Sequence, residues 1–471
     1  MLYPCFPCYP WFIPIFPFRM KFLLISCAAL ALFLTDVAEA ETRRPNVVVI
    51  MADDLGYGDV SYRGGADSVT PNIDTLGRNG VQFSAGYVTA PVCGPSRAGL
   101  LTGLYQNRFG FEDNPGPYRR SEDVKIGIPE AVKTLPERMK ELGYVTGFVG
   151  KSHTGDGPEF QPLSNGFDEY FGFNNGASNY RPDGKWGTKI NQPTNPIYRG
   201  SEKVEESEYL TDAFGREAVA FIDRHRDKPF FLYLPFNAIH GPQQATDQDL
   251  EKFKNEPDKK RQLALAMTSA LDRNVGRVLE ALRKNGLEED TLVVFLSDNG
   301  GKPKDNGSFN TPLRGEKTQL WDGGIRVPFC LQWPTRVKGG RKLDFPVISL
   351  DLLPTIVSAA GGSVEKDLDG VDLLPFVSGA AAPERTLKWR FNRAWAIRDK
   401  EWKLIQANDG EALQLFRLAE DISETRDLAA EHPEIVKRLQ ADYAAWDATL
   451  MPKLWGWDKS FPVFDGKAKE E

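Results

Sequence analysis

The sequence predicts an α/β fold in which helices cover both faces of a largely parallel sheet, followed by a smaller C-terminal α+β unit. Four short runs rich in Val, Ile and Phe are apolar throughout, as strands buried on both faces are. Helical patterns alternate with these runs, which favours parallel strands joined by crossover helices. The predicted strands are Asn46–Met51, Val145–Gly150, Phe230–Leu234 and Thr291–Leu296.

Three segments between these strands have the residue spacing of helices. The longest covers residues 261–286 and closes with Lys284-Asn285-Gly286, a sequence typical of a helix end. The other two cover residues 129–143 and 209–226. Each precedes a predicted strand, so each can return the chain to the start of the sheet.

The C-terminal part of the chain has a different composition. A loop-rich connector runs from Val364 to about Pro383, and strand-like alternation follows at residues 393–407. A helix is predicted from about Pro433 to Leu450. We therefore expect a large N-terminal domain at residues 41–363, and a connector with an α+β subdomain at residues 364–471.

The first forty residues have the pattern of a secretory signal peptide. A basic stretch, Arg19-Met20-Lys21, precedes the apolar run FLLISCAALALFL, and cleavage is predicted after Ala40. Residues 1–19 look like an upstream extension of the signal. A lipoprotein signal that ends at Cys27 is the alternative. Either signal implies export, to the periplasm or out of the cell, and no other stretch is long and apolar enough to cross a membrane.

Charge and cysteine content exclude two classes of protein. The net charge of −7 argues against nucleic acid as a partner of the 471-residue chain. Three of the five cysteines lie in the predicted signal, which leaves Cys93 and Cys330, too few for a disulfide scaffold. Cys330 lies in the apolar run RVPFCLQWP and is predicted to be an inert core thiol. Cys93 lies between turn residues and needs another explanation.

Polar residues follow all four predicted strands where each strand ends. In open α/β sheets the ligand binds beyond the carboxyl ends of the strands, so these residues are expected to converge. Carboxylates and an amide there would favour Ca²⁺ or Mg²⁺ over zinc. A capping or turn role for the Asp pair alone is the alternative. The residues at the strand ends are Asp53, Asp54, Lys151, His153, His240, Asp298 and Asn299.

The segment PVCGPSRAGLLTG, residues 91–103, places Cys93 where a helix is expected to begin. Pro95 suits the first helical turn, and the free N–H groups of such a turn favour an anion and lower the pKa of a thiol. Arg97, one turn further on, is a good partner for an oxyanion. A reactive thiolate is one possibility, but an oxygen in place of the sulfur would suit a hard metal better.

CGPSRAGLLTG resembles the signature of the formylglycine-dependent (type I) sulfatases, which belong to the alkaline-phosphatase-like superfamily. Further segments are similar to that family in the same order along the chain. The resemblance implies the alkaline-phosphatase-like fold, with a large mixed, mostly parallel sheet sandwiched by helices. These segments are NVVVIMADDLGYGD, GFVGKSHTGD, NAIHGP, FLSDNGG, PLRGEKTQLWDGGIRVP and, near the C-terminus, AIRDKEWKLI with LFRLAEDISETRDLA.

The resemblance also implies a role for each site residue. One Ca²⁺ would be held by Asp53, Asp54, Asp298, Asn299 and the modified Cys93. A maturation enzyme would oxidise Cys93 to formylglycine, whose hydrated aldehyde supplies the nucleophile. The remaining roles would be Arg97 holding the hydrated aldehyde, Lys151 and Lys317 binding sulfate oxygens, His153 taking a proton from the second hydroxyl, and His240 protonating or polarising the leaving oxygen.

The loops suggest a carbohydrate substrate. Residues 171–195 combine Asn, Tyr, Arg and Trp, and aromatic and amide side chains suit sugar rings. An ordinary surface loop is the alternative. The resemblance implies a secreted bacterial-type enzyme of polysaccharide degradation, including enzymes for sulfated galactose or N-acetylgalactosamine polymers.

Two other functions are weighed against this one. The first is a phosphonate monoester or phosphodiester hydrolase of the same superfamily. The second is a catalytically silent glycan-binding protein, which the complete set of a nucleophile, an acid and a base argues against. Two-zinc phosphatases need more histidine ligands than the four histidines of this chain supply.

Overall fold

Strands and helices alternate along the residues that the computed structural model describes, which are 44–64, 70–181, 195–457 and 462. The strands are β1 Asn46–Ala52, β2 Val81–Phe83, β3 Gly86–Tyr87, β4 Tyr118–Arg119, β5 Val145–Lys151, β6 Glu169–Phe173, β7 Ile197–Arg199, β8 Glu202–Val204, β9 Phe230–Pro235, β10 Thr291–Ser297, β11 Phe329–Gln332, β12 Arg341–Leu343, β13 Val347–Ile348, β14 Thr386–Phe391, β15 Ala394–Asp399, β16 Trp402–Gln406, β17 Gln414–Arg417 and β18 Trp455–Gly456. The α-helices are Pro71–Asn79, Cys93–Thr102, Leu135–Glu141, Leu210–His225, Asp247–Lys252, Lys259–Lys284, Pro303–Asn306, Asp322–Ile325, Leu352–Ala359, Leu374–Val377 and Pro433–Asp447.

Ten of the described strands form one mixed sheet, in the order β12-β2-β11-β10-β1-β9-β5-β6-β7-β8. Its centre is five parallel strands, β10-β1-β9-β5-β6. The joins β10 to β11, β11 to β2, β6 to β7 and β7 to β8 are antiparallel. The fold class is therefore the predicted one, a mostly parallel mixed sheet.

Hydrophobic cores fill both faces of the sheet. In β1 the alternate residues Val48 and Ile50 face one core, and Val47 and Val49 face the other, all with no exposure to solvent. The helices Leu210–His225 and Lys259–Lys284 cover the first face. Burial on both sides explains why these strands carry no alternating polar residues.

All four predicted strands are present, and each extends one residue further than predicted. The added residues, Ala52, Lys151, Pro235 and Ser297, carry the chain to the polar edge of the sheet. The helix predicted at residues 129–143 was too long, since it covers only Leu135–Glu141. Thr134 precedes this helix, and the backbone N–H of Thr134 donates to Glu137 Oε2 at 2.6 Å. This N-terminal cap, and not the spacing of the apolar residues, therefore determines where the helix begins.

A four-stranded antiparallel sheet, β14-β15-β16-β17, forms a separate C-terminal domain. The helix Pro433–Asp447 packs on one face through Leu439 and Tyr443. The other face packs against residues of the larger part of the chain, among them Tyr87 and Trp321. The exact domain boundary near residue 363 stays a prediction.

A buried ion cluster joins this C-terminal sheet to the helix Asp322–Ile325. Lys403 of β16 has no exposed side-chain surface, and its Nζ lies 2.8 Å from Asp322 Oδ1 and 2.7 Å from Glu424 Oε1. The same Nζ donates to the carbonyl of Leu320 at 2.9 Å. Despite burial, the charge of Lys403 holds the pKa of Asp322 well below its usual range. The cluster therefore fixes the chain at residues 320–322.

The predicted signal peptide, its extension at residues 1–19 and the lipoprotein Cys27 lie outside the described residues. Among the helices that the structure does describe, none combines the length and the apolar character that a membrane span requires.

Lys403→Met is expected to lower the free energy of unfolding by about 3–5 kcal/mol, because it leaves the buried carboxyl group of Glu424 without its cation and Asp322 with Arg326 alone. Chemical denaturation followed by circular dichroism measures the change. Arg426→Met is the control, since Arg426 makes an exposed ion pair with Glu431 in the same domain. Equal losses in the two variants would contradict the role of the Lys403 cluster.

Candidate active site

Residues from separate strand ends converge at the carboxyl edge of the parallel strands. The register pairs Ala52 with Ser297, so Asp53 and Asp298 leave neighbouring strands side by side. Lys151 ends β5, two strands away from β1. The structure therefore brings together the predicted residues from all four strand ends, as the sheet topology requires.

Three buried carboxylates are paired with three cations at this edge. Lys151 Nζ lies 2.5 Å from Asp53 Oδ2, and Lys317 Nζ lies 2.7 Å from Asp54 Oδ1. Arg97 donates to Asp298 Oδ2 from Nε at 3.0 Å and from Nη2 at 2.8 Å. Three cations therefore offset the charges of Asp53, Asp54 and Asp298.

Burial and neighbouring charges separate the two adjacent aspartates. Burial and the charge of Asp298 raise the pKa of Asp53 to about 7. Asp54 is also buried, but Lys317 and His240 hold its pKa below the usual range. The pair thus combines one carboxyl group that ionises more readily than usual with one that ionises less readily.

Cys93 is the first residue of the helix Cys93–Thr102 and lies within the ion cluster. Its Sγ is 3.4 Å from Asp53 Oδ1 and 3.4 Å from Lys317 Nζ. Burial, with the charges of Asp298 and Asp53, raises the pKa of the thiol. The predicted lowering of this pKa by the helix start was wrong, because the nearby carboxylates and burial outweigh the helix N–H groups.

The side chain of Asn114 contacts the start of this helix, and the sequence analysis did not predict this contact. Its Oδ1 accepts the backbone N–H of Gly94 at 2.8 Å. The side chain therefore uses one of the N–H groups that sequence analysis assigned to an anion. An Asn in a loop rich in Pro and Gly carries no signal of this contact in the sequence.

Two neutral histidines, His153 and His240, line a cavity of about 610 Å³. Burial and the nearby lysines lower the pKa of His240 to about 3, and burial with Lys151 lowers that of His153. His153 Nδ1 is buried without a hydrogen-bond partner among the described residues. His240 Nδ1 lies 2.6 Å from the carbonyl of Gly241, so this nitrogen carries the proton and Nε2 faces Asp54 at 3.9 Å.

The absence of a side chain at Gly176 leaves space for the His153 imidazole. The sequence analysis did not identify this glycine either. A Cβ at position 176 would lie 2.9 Å from His153 Cε1, closer than real Cβ contacts. His153 itself has φ 57°, and its N–H donates to the carbonyl of Asn174 at 2.8 Å. The glycine therefore leaves space for the imidazole beside the cavity.

Backbone contacts hold the loop that carries Lys317. The N–H of Lys317 donates to the carbonyl of Gly301 at 3.0 Å, and the N–H of Thr318 donates to that of Pro91 at 2.9 Å. The loop is thereby tied both to the segment after β10 and to the segment before Cys93. Asn310 reinforces the first tie, because its Oδ1 accepts the N–H of Gly301 at 2.8 Å.

The carboxylate and amide oxygens at this edge fit a hard cation. Ligand atoms of Asp53, Asp54, Cys93 and His240 lie within 4.8 Å of one another. Asn299 donates from Nδ2 to Asp54 Oδ1 at 2.7 Å, whereas its Oδ1 is buried without a partner among the described residues. A buried amide oxygen needs an electropositive partner, which a metal ion would supply. His240 is a member of this cluster that the sequence did not assign to a metal.

The family model described as Sulfatase matches residues 45–363, more than half of the chain. The chain belongs to the sulfatase family. It is therefore a sulfuric ester hydrolase. The match confirms the resemblance to the sulfatases that the sequence analysis identified. A second model, described as N-sulphoglucosamine sulphohydrolase, C-terminal, matches residues 315–447.

Relatives of known name agree with this membership. The N-acetylgalactosamine-6-sulfatase of Canis lupus familiaris is 34% identical over 390 residues, which are 78% of this chain and 71% of the relative. The crystal structure of Ps i-CgsB in complex with k-i-k-neocarrahexaose has a TM-score of 0.83 at 37% identity, covering 89% of this chain and 96% of that one. A sulfatase structure from Bacteroides thetaiotaomicron has a TM-score of 0.72 at 27% identity, covering 86% of this chain and 100% of that one.

Gly176→Ala is expected to displace the His153 imidazole and lower kcat for sulfate release about tenfold or more, because the resemblance implies that His153 moves a proton and small displacements of such a group are costly. Sulfate release at saturating substrate measures kcat, and a thermal melt checks that the fold is kept. An unchanged kcat would show that the space at Gly176 does not position His153.

Proposed function

We propose that this enzyme is a secreted, calcium-dependent sulfatase that acts on a sulfated carbohydrate through formylglycine at position 93. One observation carries the proposal. Cys93 Sγ lies 3.4 Å from both a carboxylate oxygen of Asp53 and the ammonium of Lys317, at the meeting point of the strand ends. A nucleophile there would have cations beside it for the sulfuryl oxygens and carboxylates beside it for a metal.

The surroundings of Cys93 favour an oxygen nucleophile over its thiol, which a maturation enzyme would supply by converting the residue before the chain folds. Burial and two carboxylates keep the thiol protonated, which makes it a poor nucleophile. Sulfur is also a poor ligand for a hard cation. Oxidation to the aldehyde, followed by hydration, replaces the sulfur with two hydroxyl groups that suit both roles.

The residues that would hold one Ca²⁺ are Asp53, Asp54, Asp298, Asn299 and matured residue 93. The unpartnered Oδ1 of Asn299 and the buried carboxylates support this assignment. A bound Ca²⁺ would supply Lewis-acid polarisation and neutralise charge that develops on the sulfuryl oxygens. Since three cations already offset the three carboxylates, a divalent ion would make the site positive and attractive to a sulfate ester.

The cationic side chains bind and orient the sulfate group. Lys151 and Lys317 would donate to sulfuryl oxygens near residue 93, through ammonium groups now on Asp53 and Asp54. Arg97 would hold the hydrated aldehyde, while its contacts with Asp298 and with the carbonyl of Lys151 fix its guanidinium. A guanidinium held in this way can stabilise a transition state with little reorganisation.

The two histidines would move protons at opposite ends of the reaction. His153 Nδ1 is free to accept a proton from a hydroxyl of residue 93, since the imidazole is neutral. His240 directs Nε2 into the site and would protonate or polarise the leaving oxygen. The negative charge of a bound sulfate ester would raise the pKa of His240 and favour the protonated form.

The relatives and the cavity support a glycan substrate. N-acetylgalactosamine-6-sulfatase and a protein that binds neocarrahexaose are among the similar proteins. The cavity beside His153 is lined by amide and aromatic side chains, including Asn114, Asn175 and Trp457, which suit sugar rings. We therefore infer a glycan that contains sulfated galactose or N-acetylgalactosamine.

Export and domain organisation remain part of the proposal. A signal peptide at residues 1–40 would deliver the enzyme to the periplasm or the medium, where polysaccharides are found. Residues 41–363 would form the catalytic domain, and residues 364–471 the connector and C-terminal subdomain.

Release of sulfate and phosphate by the mature protein tests the proposed reaction. The panel contains sulfated galactan and N-acetylgalactosamine oligosaccharides, an aryl sulfate, and aryl phosphate and phosphonate esters. The proposal predicts sulfate from at least one oligosaccharide. Phosphate release alone would favour the phosphodiester or phosphonate alternative, and saccharide binding without turnover would favour the silent binding protein.

Cys93→Ala is expected to reduce sulfate release by more than ~1,000-fold, because alanine cannot be converted to the formylglycine whose hydrated aldehyde supplies the nucleophile. Cys330→Ala is the matched control, since Cys330 is buried in β11 away from the site. The control is expected to keep its activity. Sulfate release by Cys93→Ala at the wild-type rate would sink the nucleophile assignment.

Chelation is expected to abolish activity, and added Ca²⁺ to restore it, because buried carboxylate and amide oxygens form the proposed metal site. Elemental analysis of the dialysed protein should give one calcium per chain, and Asp298→Ala should bind less. Full activity in a protein freed of calcium would count against the metal site.

A further inference from the structure

Two cavities share Trp457 in their lining. The first, the histidine cavity, contains His153 and His240. The second cavity, of about 870 Å³, is lined by Trp457 together with Thr318 and Gln319, which follow Lys317 in the chain. Each is large enough for a drug-sized ligand, for which pockets of ~300–1,000 Å³ are typical. Together they exceed what one sulfated sugar ring needs.

The backbone connects both cavities to residue 93. Asp113 lines the second cavity and Asn114 the histidine cavity, so one short segment forms the ridge between them. Asn114 accepts the N–H of Gly94 at the start of the nucleophile helix. On the other side, the N–H of Thr318 donates to the carbonyl of Pro91, two residues before Cys93. A chain that crosses the ridge therefore passes a segment that is hydrogen-bonded to the start of the nucleophile helix.

Trp457 is exposed and yet held in place. Its side chain is 59% exposed, the largest value among the large apolar side chains of the described residues. The preceding residues Trp455 and Gly456 form β18, which pairs with β4, and the N–H of Trp457 donates to Asp113 Oδ2 at 3.4 Å. A Cβ at Gly116 would lie 3.0 Å from the indole Nε1, so the ring lies close to this glycine. A fixed, exposed indole is a stacking surface for a sugar ring.

The second cavity has the mixed lining that carbohydrate recognition requires. Asn392 and Asn408 supply exposed amides for hydroxyl groups, whereas Trp321 and Phe391 are 8% and 7% exposed and contribute only the aromatic floor. Arg393 lies on the rim, 78% exposed, in an ion pair with Asp409 at 3.1 Å. Such an exposed pair is weak and can exchange its partner for a sulfate on the ligand.

We propose that the two cavities form one groove that binds an extended sulfated oligosaccharide across Trp457. The enzyme would then remove sulfate from residues inside a glycan chain and not only from its end. This inference rests on the proposed function and deepens it, because it assigns the chain length of the substrate and a specificity-determining residue. Trp457 acts on the position of the chain and takes no part in the chemistry.

Chain-length dependence of turnover tests the groove. The probes are a sulfated galactan hexasaccharide and the matching disaccharide, and the variants are Trp457→Ala and Asn408→Trp. The first removes the stacking surface, and the second fills the second cavity from an exposed position. Each variant should lower the hexasaccharide-to-disaccharide ratio of kcat/KM about tenfold, mainly through KM, as expected for one lost stacking partner or subsite.

Val364→Ala is the control, since Val364 is another exposed apolar side chain, 39% exposed, that lines neither cavity. It should leave the ratio unchanged. Mass spectrometry of the partly desulfated hexasaccharide should show sulfate lost from internal residues. The groove proposal would be contradicted if both groove variants kept the wild-type ratio of kcat/KM, or if sulfate were lost from the terminal residue alone. Neither result would contradict the sulfatase reaction.

Binding separates failure of the groove from failure of the proposed reaction. In the Cys93→Ala background, calorimetry should show that the hexasaccharide binds at least about tenfold tighter than the disaccharide, and that adding Trp457→Ala removes this difference. Equal affinities for the two lengths would contradict the groove even if no saccharide were turned over. Absence of sulfate release by the wild-type enzyme would contradict only the proposed reaction.

Discussion

The burial of three carboxylates at one edge of a parallel sheet is the constraint on which the rest of the site depends. Asp53, Asp54 and Asp298 are held out of water, a cost that the nearby cations offset. Lys151, Lys317 and Arg97 meet this need, and each comes from a different element. The helix start at residue 93 is therefore surrounded by cations that can bind an anionic ester and by carboxylates that can bind a hard cation.

The same constraint explains why the supporting loops are tied so closely. A buried lysine that drifts away leaves an uncompensated carboxylate, so the loop of Lys317 is fastened to Gly301 and Pro91 through its backbone. Further along that segment, Lys403 of the C-terminal sheet fixes residues 320–322 through a second buried ion cluster. The smaller domain thus stabilises a segment that begins a few residues after a lysine of the site.

Much of this arrangement was predictable from the sequence, since apolar runs mark the central strands and the polar residues that follow them must meet at one edge. What the sequence hides are contacts between distant segments. Asn114 on Gly94, Gly176 beside His153 and Lys403 on Asp322 depend on loop paths that no local pattern records. The prediction of a lowered pKa for the Cys93 thiol was wrong for the same reason. The sequence shows that a helix begins at Cys93, but it does not show the carboxylates around the thiol.

The mass of the peptide that contains residue 93, from enzyme purified in an active state, tests the central claim most directly. The account predicts an aldehyde at this position, because a buried thiol among carboxylates is neither a good nucleophile nor a good ligand for a hard cation. An intact thiol in a preparation that releases sulfate at full rate would contradict it.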